Sequence, residues 1–252
     1  MLFIPAYAQE DFCGIRNTTT QSGEQIDFTV YYNVAGIYVN AGSAMFTTKL
    51  EKLNDKPVYH IIGSGRSNSK YDWIFKVRDR YESYVDTATM RPLRFSRDVE
   101  EGNTKKLERV SFDPNKNTAT SEGKVFKVPD CIQDVLSSVY YARNIDFNKY
   151  KKGDKIPFKM FLENEVHNLY IRYIGKEQVQ TRYGTFNAIK FKPLLVEGTI
   201  FSGGEKMTVW VTDDANRVPV RIESQILIGS VKVDMMGYKN LRHPLSIVKK
   251  RQ

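Results

Sequence analysis

Apolar and polar residues alternate with period two through most of this chain. Ile26, Phe28, Val30 and Tyr32 interleave with Asp27, Thr29 and Tyr31, and Met207, Val209 and Val211 interleave with Thr208, Trp210 and Thr212. Val218, Val220, Ile222, Ser224, Ile226 and Ile228 do the same against Arg217, Pro219, Arg221, Glu223, Gln225 and Leu227. One apolar and one polar face per segment is the pattern of half-buried strands. Similar runs lie near residues 39–49, 58–66, 74–86, 93–99, 105–112, 155–163, 166–174 and 185–195. Between them stand turn formers such as Asn54-Asp55-Lys56-Pro57, Glu101-Gly102-Asn103, Asp113-Pro114-Asn115, Lys152-Gly153-Asp154, Tyr183-Gly184, Ser202-Gly203-Gly204 and Asp213-Asp214-Ala215-Asn216. Strand, short turn, strand is the rhythm of an antiparallel meander. Nothing suggests the regularly spaced helices that a parallel sheet needs.

One stretch changes period. After Pro129, Asp130 has the chemistry of an N-cap and Gln133 could close a capping box. Ile132, Val135, Leu136, Val139, Tyr140 and Arg143 then recur at helical spacing. A helix is expected over about 131–143, separating β lobes at about 20–128 and 150–240 within one β domain spanning 9–252. Its apolar stripe needs a surface, and the concave face of a curved sheet offers one. The expected fold is mainly β: a large curved antiparallel meander sheet with one mid-chain α-helix packed on it.

The first residues read differently. Leu2-Phe3-Ile4 is a short apolar run, Pro5 breaks it, and Ala6-Tyr7-Ala8 puts small residues where a signal peptidase needs them. The charged front of a signal is missing, so residues 1–8 read as a signal remnant cleaved after Ala8, with a periplasmic destination. Asp11-Phe12 fit badly before a lipidated cysteine, so Cys13 is not expected to carry a lipid. No apolar run after Ala8 approaches the roughly 18 residues of a membrane helix. With 41% hydrophobic residues the chain can bury a sizeable core.

The net charge of +9 is spread along the chain, densest at Lys249-Lys250-Arg251 and Lys151-Lys152. In an exported protein this balance points away from nucleic acid, and toward anionic lipid headgroups, acidic glycans or a negatively charged protein if it has a partner at all. Cys13 and Cys131 leave two readings: idle buried thiols, which are favoured, or a disulfide tying the N-terminal arm to the helix.

Motifs for chemistry are scarce. His60, His167 and His243 lack a second ligand at metal-site spacing, so no metal and no cofactor is expected. Gly63-Ser64-Gly65 is not a nucleophile elbow, and its glycines read as a bend or bulge between strands. Asp79 and Asp134 each sit in an apolar run and read as buried polar anchors that need Arg or backbone partners. No residue is expected to be catalytic. Trp73, Tyr140, Arg143 and Trp210 are the candidates for lining a ligand cavity, since amphipathic aromatic surfaces line lipid and glycan grooves as well as filling cores.

Several blocks in order resemble a known family. They are Gln21-Ser22-Gly23-Glu24, Asn40-Ala41-Gly42-Ser43-Ala44, Asp79-Arg80-Tyr81 with Tyr84-Val85-Asp86, the segment from Asp134 to Arg143, Tyr183-Gly184-Thr185-Phe186, and Val209-Trp210-Val211-Thr212-Asp213-Asp214 before Arg217-Val218-Pro219-Val220. Together they resemble the bacterial exported proteins carrying domain of unknown function 3108. The resemblance implies an envelope location and a sheet rolled into a partial barrel similar to the YmcC-like half-barrel. It implies no catalytic residue. The leading expectation is a non-enzymatic binder or carrier of an apolar or amphipathic envelope ligand: a lipid, a lipoprotein or a lipid-linked glycan. A structural or protein-interaction scaffold of the periplasm is the alternative. A glycan hydrolase is the third reading, and it requires Asp79 and Asp134 to face each other across a cleft. Oligomeric state is not legible.

Overall fold

The structure, a computed structural model, describes residues 13–34, 36–198, 202–226 and 229–250. Residues 1–8, where a signal remnant and its cleavage point are expected, lie outside the described residues.

The first half supplies β1 (Gln25–Val34), β2 (Ile37–Leu53), β3 (Lys56–Ser67), β4 (Val77–Asp86), β5 (Pro92–Glu101), β6 (Thr104–Asp113), β7 (Thr118–Ser121) and β8 (Lys124–Lys127). The helix α1 (Val135–Ala142) follows. The second half supplies β9 (Lys155–Leu162), β10 (Glu165–Gln180), β11 (Gly184–Pro193), β12 (Leu195–Glu197), β13 (Ser202–Gly204), β14 (Met207–Thr212), β15 (Pro219–Gln225), β16 (Ser230–Lys239) and β17 (Lys249–Lys250). Hydrogen bonds order the sheet as β8-β7-β6-β5-β4-β3-β2-β1-β16-β15-β14-β11-β10-β9, with β17 beside β11 and β12–β13 a separate pair. Every strand pair is antiparallel, and β1 joins the two meanders by pairing with both β2 and β16. Two-residue turns at Asn54-Asp55, Glu122-Gly123 and Glu163-Asn164 have positive φ at both positions, as hairpins matched to strand twist require.

The sheet is large and curved but not closed into a barrel. Its free edges, β8 and β9, face each other across an aromatic seam, where Phe126 and Phe161 lie 5.4 Å apart between centroids. The chain from β8 to the helix runs along this seam. Val128 N–H donates to Asn117 O at one edge, and at the other Gln133 N–H donates to Lys159 O while Phe161 N–H donates to Gln133 O.

That seam explains why the helix begins later than its apolar spacing suggests. Gln133 is held by β9, and Cys131 sits at φ 57, outside helical geometry. The cap is Asp134, not Asp130: Ser137 N–H donates to Asp134 Oδ1, and Asp134 N–H donates to Ser137 Oγ, both at 2.8 Å. Asp130 is exposed and pairs with Arg91 instead. Cys13 and Cys131 are joined by a disulfide with Cα atoms 5.4 Å apart, so the favoured reading of idle thiols gives way to the bridge.

Two apolar clusters hold the sheet. The larger packs α1 and the segment after it against β3–β7, β9–β11 and β14. The smaller joins β1, the end of β10, the start of β11, and β14–β16. Phe46 touches both.

Candidate functional site

Antiparallel partners share a face of the sheet, so the register identifies what lies on the helix side. One cross-strand row runs Phe46, Gly63, Tyr81, Arg97, Glu108. The next runs Phe28, Ala44, Gly65, Asp79, Val99, Lys106. A third, farther along, runs Phe191, Val209, Ile222, Val233, Val30, Gly42, Ser67.

Helix α1 covers the first row. A Cβ on Gly63 would lie 3.0 Å from Phe46 and 3.1 Å from Leu136, so the missing side chain lets the helix come close. The glycine pair read as a bend therefore sits inside a straight run of β3. The helix is fixed at its start by Ser83, whose hydroxyl donates to Asp134 Oδ2 at 2.5 Å. Burial pushes the Asp134 carboxyl up to about 6, against the pull of the Ser137 N–H and the Ser83 hydroxyl. At its end Arg143 makes a bidentate pair with Glu24, at 2.6 and 2.9 Å, and donates from Nε to Asn216 O. Both side chains are buried. Burial works to lower the Arg143 pKa, but the Glu24 carboxylate in contact outweighs it and the net shift is upward.

The second row is not covered in the same way. A Cβ on Gly65 would meet nothing within 4 Å. Directly across from Gly65 is Asp79, whose Oδ1 is buried and has no hydrogen-bond partner among the described residues. Burial, and then the Glu101 carboxylate beside it, push the Asp79 carboxyl up to about 7, against the pull of the Glu100 backbone. Tyr81 rises to about 12 through burial and then the charges of Asp79 and Glu101. Arg97 completes the polar end, ion-paired to Glu108 at 2.8 Å and Glu163 at 2.6 Å. Along the same face Val30, Ala44, Phe46, Val233 and Ile222 are only half-buried. The result is an open stretch of this face beyond the helix, with a proton-holding carboxyl at one end and a partly exposed apolar wall at the other. A perturbed carboxyl beside open space is a recognised mark of a functional site.

The family described as a protein of unknown function (DUF3108) matches residues 27–236, most of the strands just described. The chain belongs to the DUF3108 family. No curated protein sequence matches it. Among solved structures, a beta-barrel-like protein of domain of unknown function DUF1849 from Brucella abortus aligns at TM-score 0.55 and 6% identity, over 87% of this chain and 98% of that one. A candidate exported protein with YmcC-like fold from Bacteroides fragilis aligns at TM-score 0.36 and 12% identity, over 90% and 100% of the two chains. A candidate lipoprotein from Parabacteroides distasonis aligns at TM-score 0.37 and 14% identity, over 88% and 97%. At these identities the first likeness concerns the fold alone.

Within this DUF3108 chain the four residues named for a cavity do not share one surface. Tyr140 (2% exposed) and Arg143 (3%) come together, with the guanidinium 5.2 Å from the ring centroid, but inside the packed network at the helix end. Trp210 (7%) is in the smaller cluster, its Nε1 donating to Glu177 at 2.7 Å. Trp73 (83%) stands in solvent on the β3–β4 loop. Asp134 is consumed by its cap and by Ser83, four residues along β4 from Asp79. That spacing puts the two acids about 13 Å apart along the strand, outside the 5–10 Å of a glycosidase pair. Of the two acids read as polar anchors, Asp134 accepts from the Ser137 backbone, and Asp79 is drawn by the Glu100 backbone but lies beside a second acid, Glu101. Among the described residues, one group of possible metal ligands comes together, Cys13, Asp130 and Cys131, and its two sulfurs are joined in the disulfide. No described helix is long and apolar enough to cross a membrane.

Two features went unread in the sequence. One is the Asp79–Glu101 pair, whose acids lie 22 positions apart and meet only through the β4–β5 register. The other is His60 on the opposite face, 3.0 Å from Glu51 and 2.6 Å from Glu82 and stacked 4.1 Å from Tyr84.

Proposed function

We propose that this DUF3108 protein is an exported, non-enzymatic envelope protein that holds an amphipathic ligand in a hollow on this open face beyond the helix. The apolar part of the ligand lies along Val30, Phe46, Val233 and Ile222. Its polar head meets Asp79, Glu101 and Arg97. The observation that carries this reading is the open space at Gly65 beside an unpartnered, buried carboxyl oxygen. Leaving such a group unsatisfied costs about 1–3 kcal/mol, and a ligand donor would recover it. Export is supported by the signal-like opening residues and by the disulfide, a bond that persists in oxidising compartments.

The test is direct. Residues 9–252 are expressed in a bacterial periplasm, purified without detergent, extracted with organic solvent, and the extract is run on a mass spectrometer. A stoichiometric lipid or lipid-linked glycan, lost when Gly65→Leu fills the hollow, is the expected result. A clean extract from folded wild-type protein would refute the reading.

A further inference from the structure

The loop between β3 and β4 spends its polar groups on presenting apolar ones. Asn68 N–H donates to Ala41 O at 2.7 Å, which pins the loop to β2. Asp72 is held by the Ser67 hydroxyl and by a two-point ion pair with Arg78, at 3.2 and 2.5 Å. Ile74 and Phe75 N–H both donate to Tyr71 O, and Phe75 lies over Gly102, where a Cβ would come within 2.7 Å of its ring. The turn that results projects Trp73, Ile74 and Phe75 into solvent at 83%, 63% and 43% exposure. Lys70, stacked on Tyr71, and Lys76, paired with Glu100, flank them.

We infer that this tip docks the protein onto an anionic lipid bilayer, with Trp73 and Ile74 entering the interface. Area argues for a membrane over a protein partner. With side chains of about 150–250 Å² for the aromatics, the three together expose on the order of 400 Å². A stable protein interface needs about 800 Å² from each partner. A bilayer accepts a few inserted side chains, and Trp beside Lys is the chemistry of its headgroup layer. Charge agrees, since a protein of net charge +9 is drawn to an anionic surface. Position agrees as well: the loop leads straight into Val77, which pairs with Glu101 at the polar end of the hollow. The docked tip would therefore bring that end to the lipid. This deepens the carrier reading and rests on it only for the cargo, not for the docking.

The chain has two tryptophans, and Trp210 is buried, so Trp210→Phe leaves Trp73 as the sole tryptophan, excited at wavelengths the tyrosines do not absorb. That variant of residues 9–252 is mixed with vesicles of phosphatidylethanolamine and phosphatidylglycerol, and separately with phosphatidylcholine. The expected result is a blue shift of Trp73 and its quenching by brominated acyl chains with the anionic vesicles. Ile74→Asp, at an exposed position that leaves the fold intact by circular dichroism, should weaken vesicle partitioning at least tenfold. Absence of vesicle binding, or binding unchanged in Ile74→Asp, would overturn the inference. So would a Trp73 shielded by a co-purified protein and not by lipid. The outcome is separable from the extraction experiment: an empty hollow with a docking tip refutes only the cargo, and a loaded hollow without docking refutes only the tip.

Discussion

Replacing Cys13 and Cys131 together with serine removes a bond that joins residues 118 apart in sequence. In the chain-entropy model a loop of that length loses about 16 cal/mol/K on closure, so the bond raises stability by about 4.9 kcal/mol at 25 °C. The native state is tied at the same place by weaker means. Ile15 N–H donates to the Tyr141 hydroxyl, Thr18 N–H to Asn144 Oδ1, and Asn17 N–H to Ala88 O. These bonds keep the arm docked in the folded variant, so the loss falls mainly on the unfolded chain. Native disulfides cost about 2–5 kcal/mol to remove. For a chain of this size that corresponds to a melting point lower by about 5–20 °C. Urea unfolding followed by circular dichroism is the assay, comparing wild type, the double serine variant and reduced wild type. The midpoint should fall equally in the last two. The m value should rise slightly, because an unlinked denatured chain exposes more surface. Thiol titration of the unreduced, unfolded wild type should find none. Two reactive thiols, or a stability change under about 0.5 kcal/mol, would refute the reasoning, the second by showing that the unfolded chain does not gain the freedom the model assigns it.

Arg143→Met leaves Glu24 buried without its partner and should destabilise by about 3–5 kcal/mol, while Glu24→Leu in the same chain should restore much of the loss; a single variant as stable as wild type would show that the pair does not matter. Gly63→Ala should cost about 1–3 kcal/mol by pushing Leu136 and Phe46 apart, and Gly65→Ala should stay within about 0.5 kcal/mol of wild type; equal effects in chemical denaturation would contradict the difference between packed and open positions. Asp79 holds its proton more tightly folded than unfolded, so its ionisation lowers stability as pH rises from about 4 to about 7. Asp79→Asn should therefore gain on wild type across that window and hold a constant advantage above it. A stability difference that does not change between pH 4 and pH 8 would remove the account of a raised Asp79 pKa.

Strand positions and turns were legible because both are local. Alternation needs only side chains two apart, and Asn54-Asp55 takes positive φ because Asn and Asp tolerate the left-handed region. The helix was legible in kind but not in extent. Its apolar spacing begins at Ile132, yet Gln133 is claimed by β9, a strand that starts more than twenty residues later. The helix start is thus decided by a competing backbone partner, and propensity cannot report one. The polar groups show the same limit. Asp79 reads as an anchor needing Arg or backbone partners, and only the β4–β5 register shows that it also meets Glu101. Glu24 and Arg143 are 119 positions apart, and they meet because the residue just before β1 lies at the end of a helix that packs on β3, β4 and β9.

Gly63 and Gly65 carry this limit into function. In sequence they are equivalent, two strand glycines separated by a serine, and either a bend or a close approach would account for both. In the fold Leu136 fills the space at Gly63 and nothing fills the space at Gly65. Gly65 is half-buried, so the space beside it opens toward solvent and is not a void in the core. That space adjoins the half-buried Asp79 carboxyl, which lies beside another acid and has one oxygen shielded from water without a hydrogen-bond partner among the described residues, at a cost in stability. Packing therefore gives no reason for the arrangement at Gly65 and Asp79, whereas a ligand that lies in the open space and donates to Asp79 would remove that cost.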